Sequence, residues 1–259
     1  MFHAAVRSCQ THLATMPSPN ALRVDDSVPF LVIVSADAEW RAVAELFSSS
    51  TQERTPFGEY FHYNSGACRG IVMHGGWGKV DAAASAQYGI ARWRPSVIVN
   101  LGTCAGIVGQ IKRFETVLAE RTLIYDIAER MGDSSEAIRS YTTLIDLAWL
   151  ESRPLPSPVQ RVLLVSADRD LAPCDVPMLR RLYGAVVVDW ESGAIARVAQ
   201  RNGTRVLILR GVSDLVSEES NSDTYGRPDL FEERVTAIMQ RLFDVLPKWL
   251  ESALSPGGI

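Results

Sequence analysis

Apolar runs of strand length alternate with amphipathic stretches along most of the chain. Phe30-Leu31-Val32-Ile33-Val34 is continuous and fits a buried strand, and Ala42, Val43, Leu46 and Phe47 after it recur at helical spacing. Residues 56–73 read as an antiparallel hairpin: residues 59–63 alternate, Ser65-Gly66 turns, and Gly70-Ile71-Val72-Met73 returns. Residues 96–101, 116–121, 161–165, 186–188 and 205–209 supply five further strands. Helices are expected from the glycine-rich HGGWGKV segment (74–80) to Trp93, over 142–150, over 176–183, and along Ala194, Ile195, Val198 and Ala199. A long last helix carries Val235, Ile238, Met239, Leu242, Phe243 and Leu246, and Pro247 interrupts or ends it. Strands alternating with helices predict a single α/β domain: a twisted mixed, largely parallel sheet flanked by helices.

Residues 1–28 depart from this pattern. They hold Pro17, Pro19 and several Ser and Thr, and no period is sustained. They read as a poorly ordered N-terminal extension, with Met16 an alternative start, ahead of a folded domain over 29–253. The composition narrows the function classes. Lys and Arg number 26 against 30 Asp and Glu, and no long basic run stands out, so nucleic acid is not an expected partner. No apolar run reaches the ~20 residues of a membrane span, so no membrane partner is expected either. Cys9, Cys68, Cys104 and Cys174 lie far apart, as do His3, His12, His62 and His74, and no zinc spacing occurs. Reduced thiols, a cytoplasmic location and the absence of a metal or organic cofactor are the corresponding expectations.

Chemistry concentrates where strands give way to helices. Residues 186–200 run from Val186-Val187-Val188 through Asp189, Trp190 and Glu191 into a helix. In α/β sheets ligands gather outside the carboxyl ends of strands. Asp189 there is either a helix cap or a site residue, and Glu191 either a first-turn carboxylate or a ligand. Glu39 stands at a similar junction. Thr103 lies in Gly102-Thr103-Cys104-Ala105-Gly106, read as a tight turn of small residues whose N–H groups could face a ligand. Asp170 and Asp214 each follow a strand. The glycine-rich segment 74–80 is no P-loop, since Val80 follows Lys79 where a hydroxyl is required. Glu39, Thr103, Asp170, Glu191 and Asp214 all fall just past expected strand ends, so one edge of a parallel core can bring them together.

Five segments, LVIVSADAEWRAV, GGWGKVDAA, VIVNLGTCAGI, VVVDWESGAIA and VLILRGVSD, occur in this order between Pro29 and Trp249. Together they resemble the nucleoside phosphorylase/nucleosidase superfamily, in particular its hydrolase branch typified by methylthioadenosine/S-adenosylhomocysteine nucleosidases. The resemblance implies that Asp214 is the general acid toward the purine N7 and that Ser213 orients it. It implies that Glu191 binds the ribose hydroxyls and that Trp190 replaces a methionine packed beneath the sugar. Glu39 then activates the attacking water, with Thr103 near that water and the ribose. Trp77 falls where a smaller apolar residue contacts the 5′ substituent. Asp170 stands where a phenylalanine stacks on adenine, with Leu171 beside it.

The implied activity is hydrolysis of the N-glycosidic bond of a purine nucleoside, 5′-substituted nucleosides such as methylthioadenosine included. The enzyme would take a small-molecule nucleoside and assemble as a homo-oligomer. Similar phosphorylases place an arginine where Asn100 stands here, which favours water over phosphate as nucleophile. A phosphate-dependent phosphorylase and a catalytically silent nucleoside-binding protein are the alternatives.

Overall fold

The computed structural model describes residues 27–150 and 154–255; most of the expected N-terminal extension, with Cys9 and Met16, lies outside them. The element order is β1 (Phe30–Val34), α1 (Asp37–Leu46), β2 (Glu53–Thr55), β3 (Gly58–Ser65), β4 (Cys68–His74), α2 (Gly78–Trp93), β5 (Val97–Ile107) and β6 (Thr116–Ile124). It continues with α3 (Ser134–Ser140), β7 (Thr142–Leu144), β8 (Gln160–Ser166), α4 (Val176–Met178), β9 (Val187–Asp189), α5 (Ser192–Arg201), β10 (Arg205–Val216) and α6 (Pro228–Leu254). The apolar run of β1 is wholly buried because it is central: it pairs in parallel with β4 on one side and β5 on the other. β3 and β4 form the expected hairpin, with β2 outside it.

The sheet is mixed, and part of it closes on itself. Its path runs β10-β6-β8-β9-β5-β1-β4-β3-β2, and β10 also pairs with β5. β5, β10, β6, β8 and β9 therefore form a ring, with an open wing from β1 to β2. Closure depends on two long strands. β5 and β10 pair in parallel from Val97↔Arg205 to Ile107↔Val216. Four readings change in the structure. The segment 102–106 is no turn but the second half of β5, and its small residues leave room for side chains packed on the strand. Asp214 and Thr103 accordingly lie within strands and not past their ends. Residues 142–150 hold a short strand and a 3-10 turn at Ala148–Leu150, while the helix precedes them. α6 runs through Pro247 to Leu254, burying Trp249 and Leu250 beyond the proline. Cys68, Cys104 and Cys174 are free thiols.

α6 packs on α1, β5 and β10. Gly211 permits the close approach to β10, since a Cβ there would lie 2.3 Å from Ile238 Cγ2. Gly211→Ala is expected to destabilise the fold by about 1–3 kcal/mol through overpacking. Its denaturant midpoint should fall with unchanged slope; a wild-type midpoint would mean that α6 yields without cost.

Candidate active site

The closed part of the sheet surrounds one charged group. Arg210 sits in β10 with 0% of its surface exposed. Its Nη2 meets Asp189 Oδ2 at 2.9 Å and Asn100 Oδ1 at 2.7 Å, and its Nε donates to Ser192 Oγ at 3.0 Å. Glu39 Oε1 lies 3.8 Å from Nη1, and Glu191 Oε2 4.0 Å from Nη2. A buried cation without such partners would be prohibitively costly. Burial opposes the guanidinium charge, but Asp189, Glu39 and Glu191 together outweigh it and raise the Arg210 pKa. Gly102 is required beside this group, because a Cβ on it would lie 1.9 Å from Arg210 Nη1 and 2.7 Å from each Glu39 carboxylate oxygen.

Each carboxylate is fixed by its element. Glu39, in the first turn of α1, accepts from the Ala36 N–H at 3.4 Å, the reach-back of a capping box. Its other oxygen accepts from the Thr103 N–H at 2.5 Å and the Thr103 hydroxyl at 2.8 Å. The first-turn and ligand-side readings of Glu39 therefore describe one residue in two roles. Asp189 accepts from the Ser192 N–H at 3.1 Å, capping α5, and from the Ser166 hydroxyl at 2.6 Å. Its ion pair with Arg210 adds a duty that helix capping alone does not predict. Glu191 accepts from the Gly78 N–H at 3.1 Å, which ties it to the glycine-rich segment. Burial pushes the Glu191 carboxyl up to about 8, aided by Asp189 and opposed by Arg210.

Asp214 owes its direction to an irregularity in β10. The pairing with β5 jumps from Val212↔Cys104 to Asp214↔Ala105, so Ser213 is an extra residue, a β-bulge. Alternation would send neighbouring side chains to opposite faces; here Ser213 and Asp214 both line the cavity. The Ser213 hydroxyl is 2.6 Å from Asp214 Oδ1 and 3.2 Å from the Cys104 carbonyl oxygen. Burial raises the Asp214 pKa, against hydrogen bonds from Ser213 and Ser222.

These groups line a cavity of about 590 Å³, a volume that suits a small ligand. All nine residues singled out in the sequence are on it: Glu39, Trp77, Thr103, Asp170, Leu171, Trp190, Glu191, Ser213 and Asp214. Trp77, 61% exposed, stacks on Trp190 with ring centroids 4.9 Å apart and planes 29° from parallel. Leu171 is buried, and its carbonyl accepts from the Tyr225 hydroxyl at 3.3 Å. Several lining groups escaped the sequence reading. Thr224, Tyr225 and Phe231 come from a region read as a polar loop and the start of a helix. Arg210 and Asn100 brace the site from beneath. An arginine ending an apolar run, in a chain with carboxylates at other strand ends, was the available signal. Among the described residues no cluster of His, Cys, Asp and Glu could hold a metal ion.

The raised Glu191 carboxyl makes a linkage prediction. Its native pKa lies above its unfolded one, so the native state binds more protons in between. Stability from this source is full below the ordinary glutamate range and lost as pH rises toward about 8. The slope is at most about 1.4 kcal/mol per pH unit. Denaturant titrations from pH 5 to 8 should show Glu191→Gln flattening this decline; equal slopes in both proteins would contradict the assignment.

The sequence model described as the Phosphorylase superfamily matches residues 29–248. A 5′-methylthioadenosine/S-adenosylhomocysteine nucleosidase of Marinomonas sp. (strain MWYL1) is 24% identical over 213 residues, spanning 78% of this chain and 89% of the relative. The nucleosidase of the same name from Neisseria meningitidis, solved with methylthio-immucillin-A, superposes with a TM-score of 0.70 at 19% identity, covering 87% of this chain and 100% of the other. A futalosine hydrolase mutant of Helicobacter pylori strain 26695 gives 0.69 at 15% identity, covering 85% and 99%. With most of its length matched by the superfamily model, and a fold shared with these structures, this chain belongs to the phosphorylase superfamily.

Proposed function

We propose that the chain hydrolyses the N-glycosidic bond of a purine nucleoside, releasing free base and ribose. The observation that carries this reading is the placement of Glu39, Glu191 and Asp214 around one cavity, over a guanidinium already committed to carboxylates. A purine departs readily only if it leaves neutral, and the ribose meanwhile takes on oxocarbenium character. Asp214 gives its proton to N7 as the C1′–N9 bond breaks and the electron pair passes to the base. Water adds its oxygen to C1′, and Glu39 takes its proton. Glu191 holds the ribose hydroxyls, and the carboxylates stabilise the developing cation. Burial shifts the Asp214 pKa upward, the direction that a proton donor requires.

Water is the nucleophile in this reading because, among the described residues, each arginine at the cavity is already paired with a carboxylate. Arg210 faces three carboxylates, Arg41 pairs with Glu232 at 2.9 Å, and Arg169 pairs with Asp175 at 2.8 Å. Trp190 underlies the sugar, and Trp77 borders the 5′ substituent. Asp170 and Leu171 border the base, with Tyr225 supplying an aromatic surface that the aspartate cannot. The nucleosidases and the futalosine hydrolase among the similar proteins support a 5′-substituted or methylthioadenosine-like nucleoside as substrate. Residues 29–253 form the catalytic domain in this account, and the enzyme is cytoplasmic. It is also a homo-oligomer: Trp77 at the cavity rim and Val80, 78% exposed, offer apolar surface that a second copy would cover.

Base release from a panel of purine nucleosides, with and without phosphate, tests the reading. Turnover should be equal in both conditions, and Asp214→Asn should slow it by about 10²- to 10⁴-fold. Strict phosphate dependence would replace hydrolysis by phosphorolysis. Tight binding without product would make the chain a nucleoside-binding protein.

A further inference from the structure

The bulge that aims Asp214 leaves backbone groups to be satisfied. β10 pairs with β6 only through Leu209, Arg210 and Gly211. Beyond that, the Val212 N–H donates to the Glu115 carbonyl at 3.0 Å and the Val212 carbonyl accepts from the Phe114 N–H at 2.8 Å. The Ser213 carbonyl, on the extra residue, takes its hydrogen bond from a side chain instead. Arg234, in the second turn of α6, donates to it through Nη1 at 3.0 Å.

The same guanidinium holds a second element. Its Nη1 and Nη2 reach Asp223 Oδ1 and Oδ2 at 3.1 and 2.7 Å, a two-pronged ion pair. Asp223 sits between Ser222, which is close enough to Asp214 to act on its pKa, and Thr224, which lines the cavity and shares a 2.7 Å hydrogen bond with the Ser222 hydroxyl. Arg234 itself is buried, at 9% exposure. Its partners thus lie on both sides of Asp214: the backbone just before it and the loop that covers it.

We propose that Arg234 is a positioning residue for the general acid, bracing the Ser213 bulge and the Asp223 loop with one guanidinium. It touches no substrate in this account; it acts by fixing where Asp214 points. A surface arginine on a long helix has no such geometry, and an ion pair to Asp223 alone would leave the bulge carbonyl unsupported. The inference rests on the assignment of Asp214 as acid, and the experiment separates the two.

Single-turnover rates on a purine nucleoside are measured for wild type, Arg234→Met, Asp214→Asn and the double variant. Arg234→Met should lower the chemical step by about tenfold or more, short of the ~10²- to 10⁴-fold cost of losing the acid, with substrate affinity nearly unchanged. The double variant should be no slower than Asp214→Asn, because a residue acting through the acid has nothing to add once the acid is gone. Arg234→Lys, which keeps the charge but only one donor nitrogen, should recover part of the rate, and circular dichroism shows that each variant is folded. A wild-type rate in Arg234→Met, or losses that multiply in the double variant, would overturn the proposal. An unimpaired Asp214→Asn would instead remove the acid assignment itself.

Discussion

One buried guanidinium organises this molecule. Arg210 lies at the centre of the strand ring, on β10, and its partners come from α1, β5, β9 and the start of α5. Removing it would leave several buried carboxylates without their cation, and removing any of them would leave part of its charge uncompensated. Breaking such a pair commonly costs about 3–5 kcal/mol, whereas replacing the whole network by apolar groups is often neutral. Stability therefore does not explain a cation placed here. Its effect is to hold Glu39, Asp189 and Glu191 within 4.0 Å of one cation at the cavity wall, with more carboxylates than cations. An environment of that sign favours a cationic sugar and disfavours an incoming phosphate.

The fold makes this arrangement possible through two long strands. β5 supplies small residues where Arg210 and Glu39 must approach, and β10 supplies both Arg210 and, four residues later, Asp214. Regular alternation would put Arg210, Val212 and Asp214 on one face and Ser213 on the other. The bulge at Ser213 breaks that rule, so Asp214 and its hydroxyl partner share the cavity while Arg210 stays beneath. The glycine-rich segment contributes in a different way. The Gly78 N–H holds Glu191, and Lys79 beside it is fixed by ion pairs to Asp126 and Asp168, so Trp77 is carried on an anchored loop and not a free one.

Much of this was legible in the chain. Strand and helix positions followed from periodicity because burial on one or both faces is a local pattern. Glu39, Glu191 and Asp214 stand out as carboxylates beside apolar runs, and all three line the one cavity. What periodicity does not carry is pairing. The ring closes through contacts between residues about a hundred positions apart, and nothing local distinguishes the 102–106 segment as strand from a glycine turn. A bulge is likewise set by the partner strand. Arg210 is not conspicuous, because a charged residue after four apolar ones looks like the end of a strand; only the carboxylates supplied from other elements make it a core residue. Tyr225 was lost in a polar stretch, although its ring and hydroxyl pack at the cavity wall.

The origin of the oxygen at C1′ tests the account most directly. Hydrolysis of a purine nucleoside in water enriched in heavy oxygen, with phosphate also present, should place one heavy oxygen on the anomeric carbon of the released ribose. Formation of ribose 1-phosphate, with no heavy oxygen at that carbon, would contradict it.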